Sequence, residues 1–261
     1  MENEVKENTE NKKEQVLNTN QTTISPKTPF FTMPMAIVLA GLLISGGLYF
    51  SSIQKAKIAA NVQNNQAGGQ QGNLESINKV TKDDHIRGSK DAEVIIVEYS
   101  DTGCYYCKKF HNTMKQIMAE HEAKGDVAWV YRHFPIDSLH PTARHEAEAL
   151  ECANEQGGNE VFWKYTDKLY EITNSNNTLE ASELSNIAAI IGLDVNAFNI
   201  CLASGKYLKK IAEDEANAKE TGGRGTPWSI VVAKSGKKYP LSGAMSVDAV
   251  NQLINLAANS K

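Results

Sequence analysis

The densest reactive spacing in the chain is Cys104-Tyr105-Tyr106-Cys107, two thiols separated by two residues. One helical turn brings such thiols together, so the pair can open and close a disulfide. The same spacing also serves zinc, iron–sulfur and haem-attachment sites. Haem attachment needs a histidine directly after the second cysteine, and Lys108 stands there. Zinc needs about four converging ligands, and only His111 lies near. A metal carrier using Cys104, Cys107 and His111, and an inert structural bond, are the alternatives to redox chemistry. At a helix N-terminus, unpaired N–H groups and the helix dipole favour an anion. Placed there, Cys104 is the nucleophile and Cys107 the resolving thiol.

The elements around the pair supply that placement. Val94 to Tyr99 is a short apolar run that reads as a strand, and helical spacing follows from Cys104 to Glu122. Val127 to Phe134 reads as a second strand. A long helical region runs from Pro141 to Thr221, interrupted at Asn174 to Thr178 and at Gly192. Then come a strand at Ser229 to Val232, a Ser235-Gly236 turn, a strand at Lys238 to Leu241 and an amphipathic helix from Ser246 to Ala258. This order predicts an α/β fold with a parallel crossover at its start. Gly225-Thr226-Pro227 precedes the third strand, where a proline can hold a backbone edge open.

The chain has 261 residues, 41% of them hydrophobic, and a formal net charge of -4. That is enough for one substantial core, and there is no basic footprint for nucleic acid. Residues 1–29 are polar and predict a disordered tail. Residues 30–53 carry no charged side chain, and roughly 20 apolar residues span a bilayer, so one uncleaved transmembrane helix is predicted there. Residues 54–73, rich in Asn, Gln, Gly and Ala, predict a flexible linker. The folded domain is expected over 74–261.

The segments Val97 to Phe110, Tyr131 to Pro135, His140-Pro141 and Gly222 to Pro227 together resemble DsbA-like proteins of the thioredoxin superfamily, over roughly residues 74 to 258. The resemblance implies a thioredoxin fold with a helical domain inserted at about 139–221, and a protein thiol-disulfide oxidoreductase needing no cofactor beyond its redox-active disulfide. It implies that Thr226 and Pro227 receive the backbone of a substrate. Tyr105 and Tyr106, between the two thiols, join them as expected substrate-binding positions. It also implies that Glu98, six residues before Cys104, exchanges a proton with the resolving thiol. A solvent-facing strand residue or a satisfied core acid is the plain alternative, and Asp101 matches a common family position.

The Tyr105-Tyr106 dipeptide departs from the proline and histidine frequent in strongly oxidising members, which leaves a disulfide reductase or isomerase as the alternative to an oxidase. Trp228 is larger than the residue usual after the proline, and could narrow the substrate groove or offer an apolar contact. The implied partners are thiol-containing client proteins and a quinone-linked membrane oxidase, at the cell membrane with the catalytic domain extracytoplasmic. Cys152 and Cys201 both fall in the expected insertion. A structural disulfide between them closes a loop of about 50 residues and contributes on the order of 3 to 4 kcal/mol; two separate buried thiols are the alternative. His111, His121, His133, His140 and His145 are scattered, so no metal is expected.

Overall fold

The computed structural model describes residues 72–260 apart from 122 and 176–178. The tail, the predicted span and nearly all of the linker lie outside the described residues. Among the described residues no helix is long and apolar enough to cross a membrane. The elements are β1 (His85–Gly88), β2 (Val94–Ser100), α1 (Tyr105–His121), β3 (Val127–His133), α2 (Ala143–Ile172), α3 (Ala181–Ile190), α4 (Val195–Ser204), α5 (Leu208–Glu220), β4 (Trp228–Ala233), β5 (Lys238–Ser242) and α6 (Val247–Ala258).

The five strands form one mixed sheet in the order β1-β3-β2-β4-β5. β2 and β3 pair in parallel through the α1 crossover, and the other three pairings are antiparallel. Side chains alternate along a strand, and the two cores show it. Val94 and Ile96 of β2 join Trp129 and Tyr131 of β3 in one cluster, while Val97 and Tyr99 join Val130 in the other. The first face is covered by α1, through Cys107, Phe110, Met114, Ile117 and Met118, and by α6, through Val250, Leu253, Ile254 and Ala257. Both sets repeat every three to four residues, the period of a helix face. Ile117 is fully buried, so truncation to alanine there removes about 2–5 kcal/mol.

β1 was not expected, because four residues reading His-Ile-Arg-Gly have no apolar alternation to betray a strand. Its pairing with β3 is tertiary, and its outer edge is closed by a side chain. Asn159 accepts from the Ile86 amide at 2.8 Å and donates to the Ile86 carbonyl at 2.7 Å, which blunts a free strand edge. Asn159 follows Gly158, whose φ of 67° breaks α2 in the left-handed region that favours glycine.

The helical stretch between β3 and β4 divides in function. α2, α3 and α4 pack on one another, and Cys152 of α2 is bonded to Cys201 of α4 across 49 residues of chain. α5 instead returns to the sheet, against β3 and β2. There its Asn217 accepts from the Tyr99 hydroxyl at 2.5 Å and from the Asn78 amide at 3.0 Å. The insertion proper is therefore narrower than 139–221, since its last helix belongs to the sheet's second layer.

Candidate active site

Cys104 and Cys107 sit where β2 ends and α1 begins. The loop between strand and helix is pinned by Asp101, which is 1% exposed. Its Oδ1 accepts from the Gly103 amide at 2.9 Å; its Oδ2 accepts from the Ile136 amide at 2.8 Å and lies 2.9 Å from His140 Nδ1. A Cβ on Gly103 would meet the His140 Cβ at 2.8 Å, so only glycine allows this approach. The Cys104 amide then donates to the Asp101 carbonyl at 3.1 Å, and the Cys104 carbonyl accepts the first helical bond, from Lys108, at 3.1 Å. Cys104 thus stands directly before the helix, as its sequence position predicts.

Cys104 and Cys107 are both free thiols here, 7% and 0% exposed. They differ in electrostatics. Cys104 is pulled down to about 6, first by hydrogen bonding from the Cys107 thiol, then by the Cys107 and Tyr106 amides and Thr226, against the opposing cost of burial. Cys107 is pushed well above the usual thiol range, first by burial and then by Cys104 and the charge of Glu98. The Cys104 Sγ lies 3.6 Å from the Thr226 carbonyl oxygen. The carbonyl of Thr226, which is joined to Pro227 by a cis peptide bond, therefore faces Cys104. Tyr105 and Tyr106 are 53% and 60% exposed beside it, ring edge to ring face at 5.5 Å.

Glu98 faces the α1 side of the sheet and has no exposed surface. The Trp129 indole donates to its Oε2 at 2.8 Å, while Oε1 has no hydrogen-bond partner among the described residues. Burial outweighs the help of Ser100 and Trp129 and raises this carboxyl to about 7. The solvent-facing alternative is thus corrected: Glu98 is a core acid incompletely satisfied. Trp228 does not enter the groove. Its indole donates to Thr221 Oγ1 at 3.0 Å, and the side chain packs with Val97 and Tyr99 on the far face of the sheet.

The histidines behave differently from a metal centre at the cysteines. His111 Nε2 is bonded to Asp167 Oδ1 at 2.7 Å. Among the described residues, only His85, His133 and Glu151 bring three potential ligand atoms within 4.8 Å. In that cluster both imidazole Nε2 atoms lie 2.8 Å from Glu151 Oε1, and so does the Lys210 ammonium. One oxygen already meets two ring nitrogens and a cation, so the donors form an ion-pair clasp. His85 was absent from the sequence candidates because its strand was not foreseen.

The sheet order, the thiol pair at a strand-to-helix junction and the facing Thr226-Pro227 define a class. A family model described as Thioredoxin matches residues 80–255, and the chain belongs to that family. DsbA2 of Pseudomonas aeruginosa superposes with a TM-score of 0.57 at 26% identity, covering 68% of this chain and 96% of that one. α-DsbA1 of Wolbachia pipientis gives 0.60 at 22%, covering 71% and 95%. Oxidised BdbD of Bacillus subtilis gives 0.60 at 18%, covering 72% and 96%. The chain is a DsbA-like member of the thioredoxin superfamily. Among curated sequences it is similar to the Na(+)/H(+) antiporter NhaA 1 of Salinispora arenicola, 30% identical over 67% of this chain. The chain spans about a quarter of the length of the curated relatives it matches, 24% for that one.

Ser100 and Tyr170, which interact electrostatically with Cys107, and Trp129, which donates to Glu98, were missed as site residues. A signal for Ser100 existed: it lies two residues beyond Glu98 in the same strand, which puts both on one face.

Proposed function

We propose that the protein introduces disulfide bonds into extracytoplasmic proteins, with the Cys104–Cys107 disulfide as the oxidant. A client thiolate attacks Cys104 Sγ, the Cys104–Cys107 bond breaks, and Cys107 leaves with the electron pair and takes a proton. A second client thiolate then attacks the client sulfur of the mixed disulfide and releases Cys104 as a thiolate. The client is oxidised by two electrons and the pair is reduced. The observation that carries this reading is the asymmetry of the pair. A Cys104 thiol drawn down to about 6 leaves readily, and stabilising the reduced form makes the disulfide more oxidising.

Glu98, raised to about 7, serves as the proton donor to Cys107 on opening and the acceptor on closing, matched to neutral pH. Thr226 and Pro227 receive the client backbone, and Tyr105 and Tyr106 offer it aromatic surface. No metal or organic cofactor is needed, since both electrons stay on sulfur.

We place the catalytic domain outside the cytoplasm, tethered by the apolar segment at 30–53, with a quinone-linked membrane oxidase restoring the disulfide. The Cys152–Cys201 bond supports an oxidising compartment. The antiporter names of the curated relatives belong to much longer proteins, and ion exchange is not proposed for this chain.

The reduction potential of the pair in the full-length protein tests the direction. A value well above about -200 mV supports the oxidase. A value near about -270 mV, that of thioredoxin, favours the reductase that the Tyr105-Tyr106 dipeptide leaves open.

A further inference from the structure

Asp101 is joined through its backbone to both thiol residues. Its carbonyl accepts from the Cys104 amide at 3.1 Å, and its amide donates to the Cys107 Sγ at 3.4 Å. Where Asp101 is held, the two sulfurs are held with it. Its buried carboxyl gathers three groups: the Gly103 amide at 2.9 Å, the Ile136 amide at 2.8 Å and His140 Nδ1 at 2.9 Å. A carboxylate only accepts, so the imidazole Nδ1 is the donor of the third bond.

His140 belongs to a different loop, the one between β3 and α2, and that loop is itself tied down. The Leu139 and His140 amides both donate to the Ile136 carbonyl at 2.8 Å, and the Ala143 amide donates to the His140 carbonyl at 3.1 Å. The histidine is 9% exposed. Its Cβ and Cγ lie 2.8 and 3.1 Å from where a side chain on Gly103 would begin, so it backs the residue directly before Cys104. Among the described residues the imidazole has no hydrogen bond to either sulfur. Any effect on the thiols therefore passes through Asp101 and Gly103.

We propose that His140 is a positioning residue of the redox site: by donating to the Asp101 carboxylate and backing Gly103, it fixes the turn that aims Cys104 at the first amides of α1. Hydrogen bonds weaken steeply when donor and acceptor are misaligned, and the Cys104 thiolate depends on such bonds from the Cys107 thiol and from the Cys107 and Tyr106 amides. Without the imidazole, Asp101 keeps its two amides but loses its link to the second loop, and Gly103 loses its backing. Cys104 then takes orientations in which those donors miss the sulfur.

This inference rests on Cys104 as the reactive thiol, and the test tells the two apart. In the reduced full-length protein, the alkylation rate of Cys104 is followed across pH for wild type, His140→Leu and His140→Asn, with the reduction potential and denaturant unfolding of each. Leucine keeps most of the bulk and removes the donor. Asparagine places an amide donor where Nδ1 stood. The leucine variant should raise the Cys104 midpoint by about one pH unit, and this tenfold loss of thiolate stabilisation should lower the potential near pH 8 by about 30 mV. The asparagine variant should stay close to wild type in both. A leucine variant that loses stability yet keeps the wild-type midpoint and potential makes His140 a packing residue and overturns the proposal. If wild type itself has no thiol titrating near 6, the reading of Cys104 and this inference fall together. Should the leucine variant not fold, His140→Gln, whose amide sits where Nε2 stood, takes its place, and equal midpoints for the Asn and Gln variants overturn the proposal.

Discussion

Two of the carboxylates buried in this protein, Glu151 and Glu98, have opposite surroundings. Glu151, on α2, is 1% exposed and receives His85, His133 and Lys210 on one oxygen. These partners overcome the cost of burial and hold its carboxyl well below the usual range. Glu98, on β2, is 0% exposed and has only the Trp129 indole at hydrogen-bond geometry, so burial wins and its carboxyl rises to about 7. The first fastens the helical insertion to the sheet edge. The second is a charge the fold leaves half satisfied, beside the thiol that must gain and lose a proton.

The cysteines divide the same way. Cys152 and Cys201 are joined within the insertion, while Cys104 and Cys107 are kept apart in acidity by their positions before and within α1. Stability is concentrated at one end of the comparison and reactivity at the other.

The largest effect that can break this contrast is at Glu151. Glu151→Ala leaves Lys210 and two imidazoles without their partner and should cost about 3–5 kcal/mol, read by denaturant unfolding. The reduction potential of Cys104–Cys107 should stay unchanged. A large change in potential would mean that the two regions are not separable.

Replacing Cys152 and Cys201 together by alanine opens a loop of 49 residues and should cost on the order of 3 to 4 kcal/mol. This is measured by comparing unfolding of the oxidised variant with wild type, again with exchange activity retained.

Glu98 sharpens the comparison through its sign. Because its carboxyl is raised from 4.5 to about 7, the folded state holds a proton that the unfolded chain has lost. Wild-type stability therefore falls as pH rises from near 4.5 to 7, and the full penalty is present above 7. Glu98→Gln should match wild type near pH 4 and exceed it near pH 8 by on the order of 3 kcal/mol, while slowing exchange. Unfolding at the two pH values checks it. A glutamine variant less stable at both would show that Glu98 is a structural acid.

The smallest effect belongs to the exposed pair. Tyr105→Ser with Tyr106→Ser should change stability by less than about 0.5 kcal/mol, yet raise the KM for a client peptide. Steady-state kinetics against a small thiol and a peptide separate the two contributions.

Much of this contrast was readable from the chain. The strand before Cys104 and the helix after it follow from local pattern, because period-2 and period-3.6 spacing are short-range signals, whereas the approach of Thr226 and Pro227 to the pair was what the family resemblance implied. Glu98 was legible as a carboxylate inside an apolar run. What was not legible depends on distant partners. β1 exists through its pairing with β3 and through Asn159. The clasp of Glu151 joins β1, β3, α2 and α5, and no spacing in the sequence announces it. The length of α5 read as part of the insertion, yet Asn217 bonding to Tyr99 puts it on the sheet. Trp228 was expected to narrow the substrate groove or offer an apolar contact, and only Thr221 and the far sheet face brought beside it show otherwise.

The most direct test of the account is the acidity of Cys104 itself, measured in the reduced full-length protein by its rate of alkylation across pH and by thiolate absorbance. The account predicts a single reactive thiol with a midpoint near 6, abolished in Cys104→Ser and retained in Cys107→Ser at a higher midpoint, since Cys107 supplies the leading stabilisation of the thiolate. A midpoint near that of a free cysteine, about 8.5, or a reactive thiol that persists without Cys104, would contradict it.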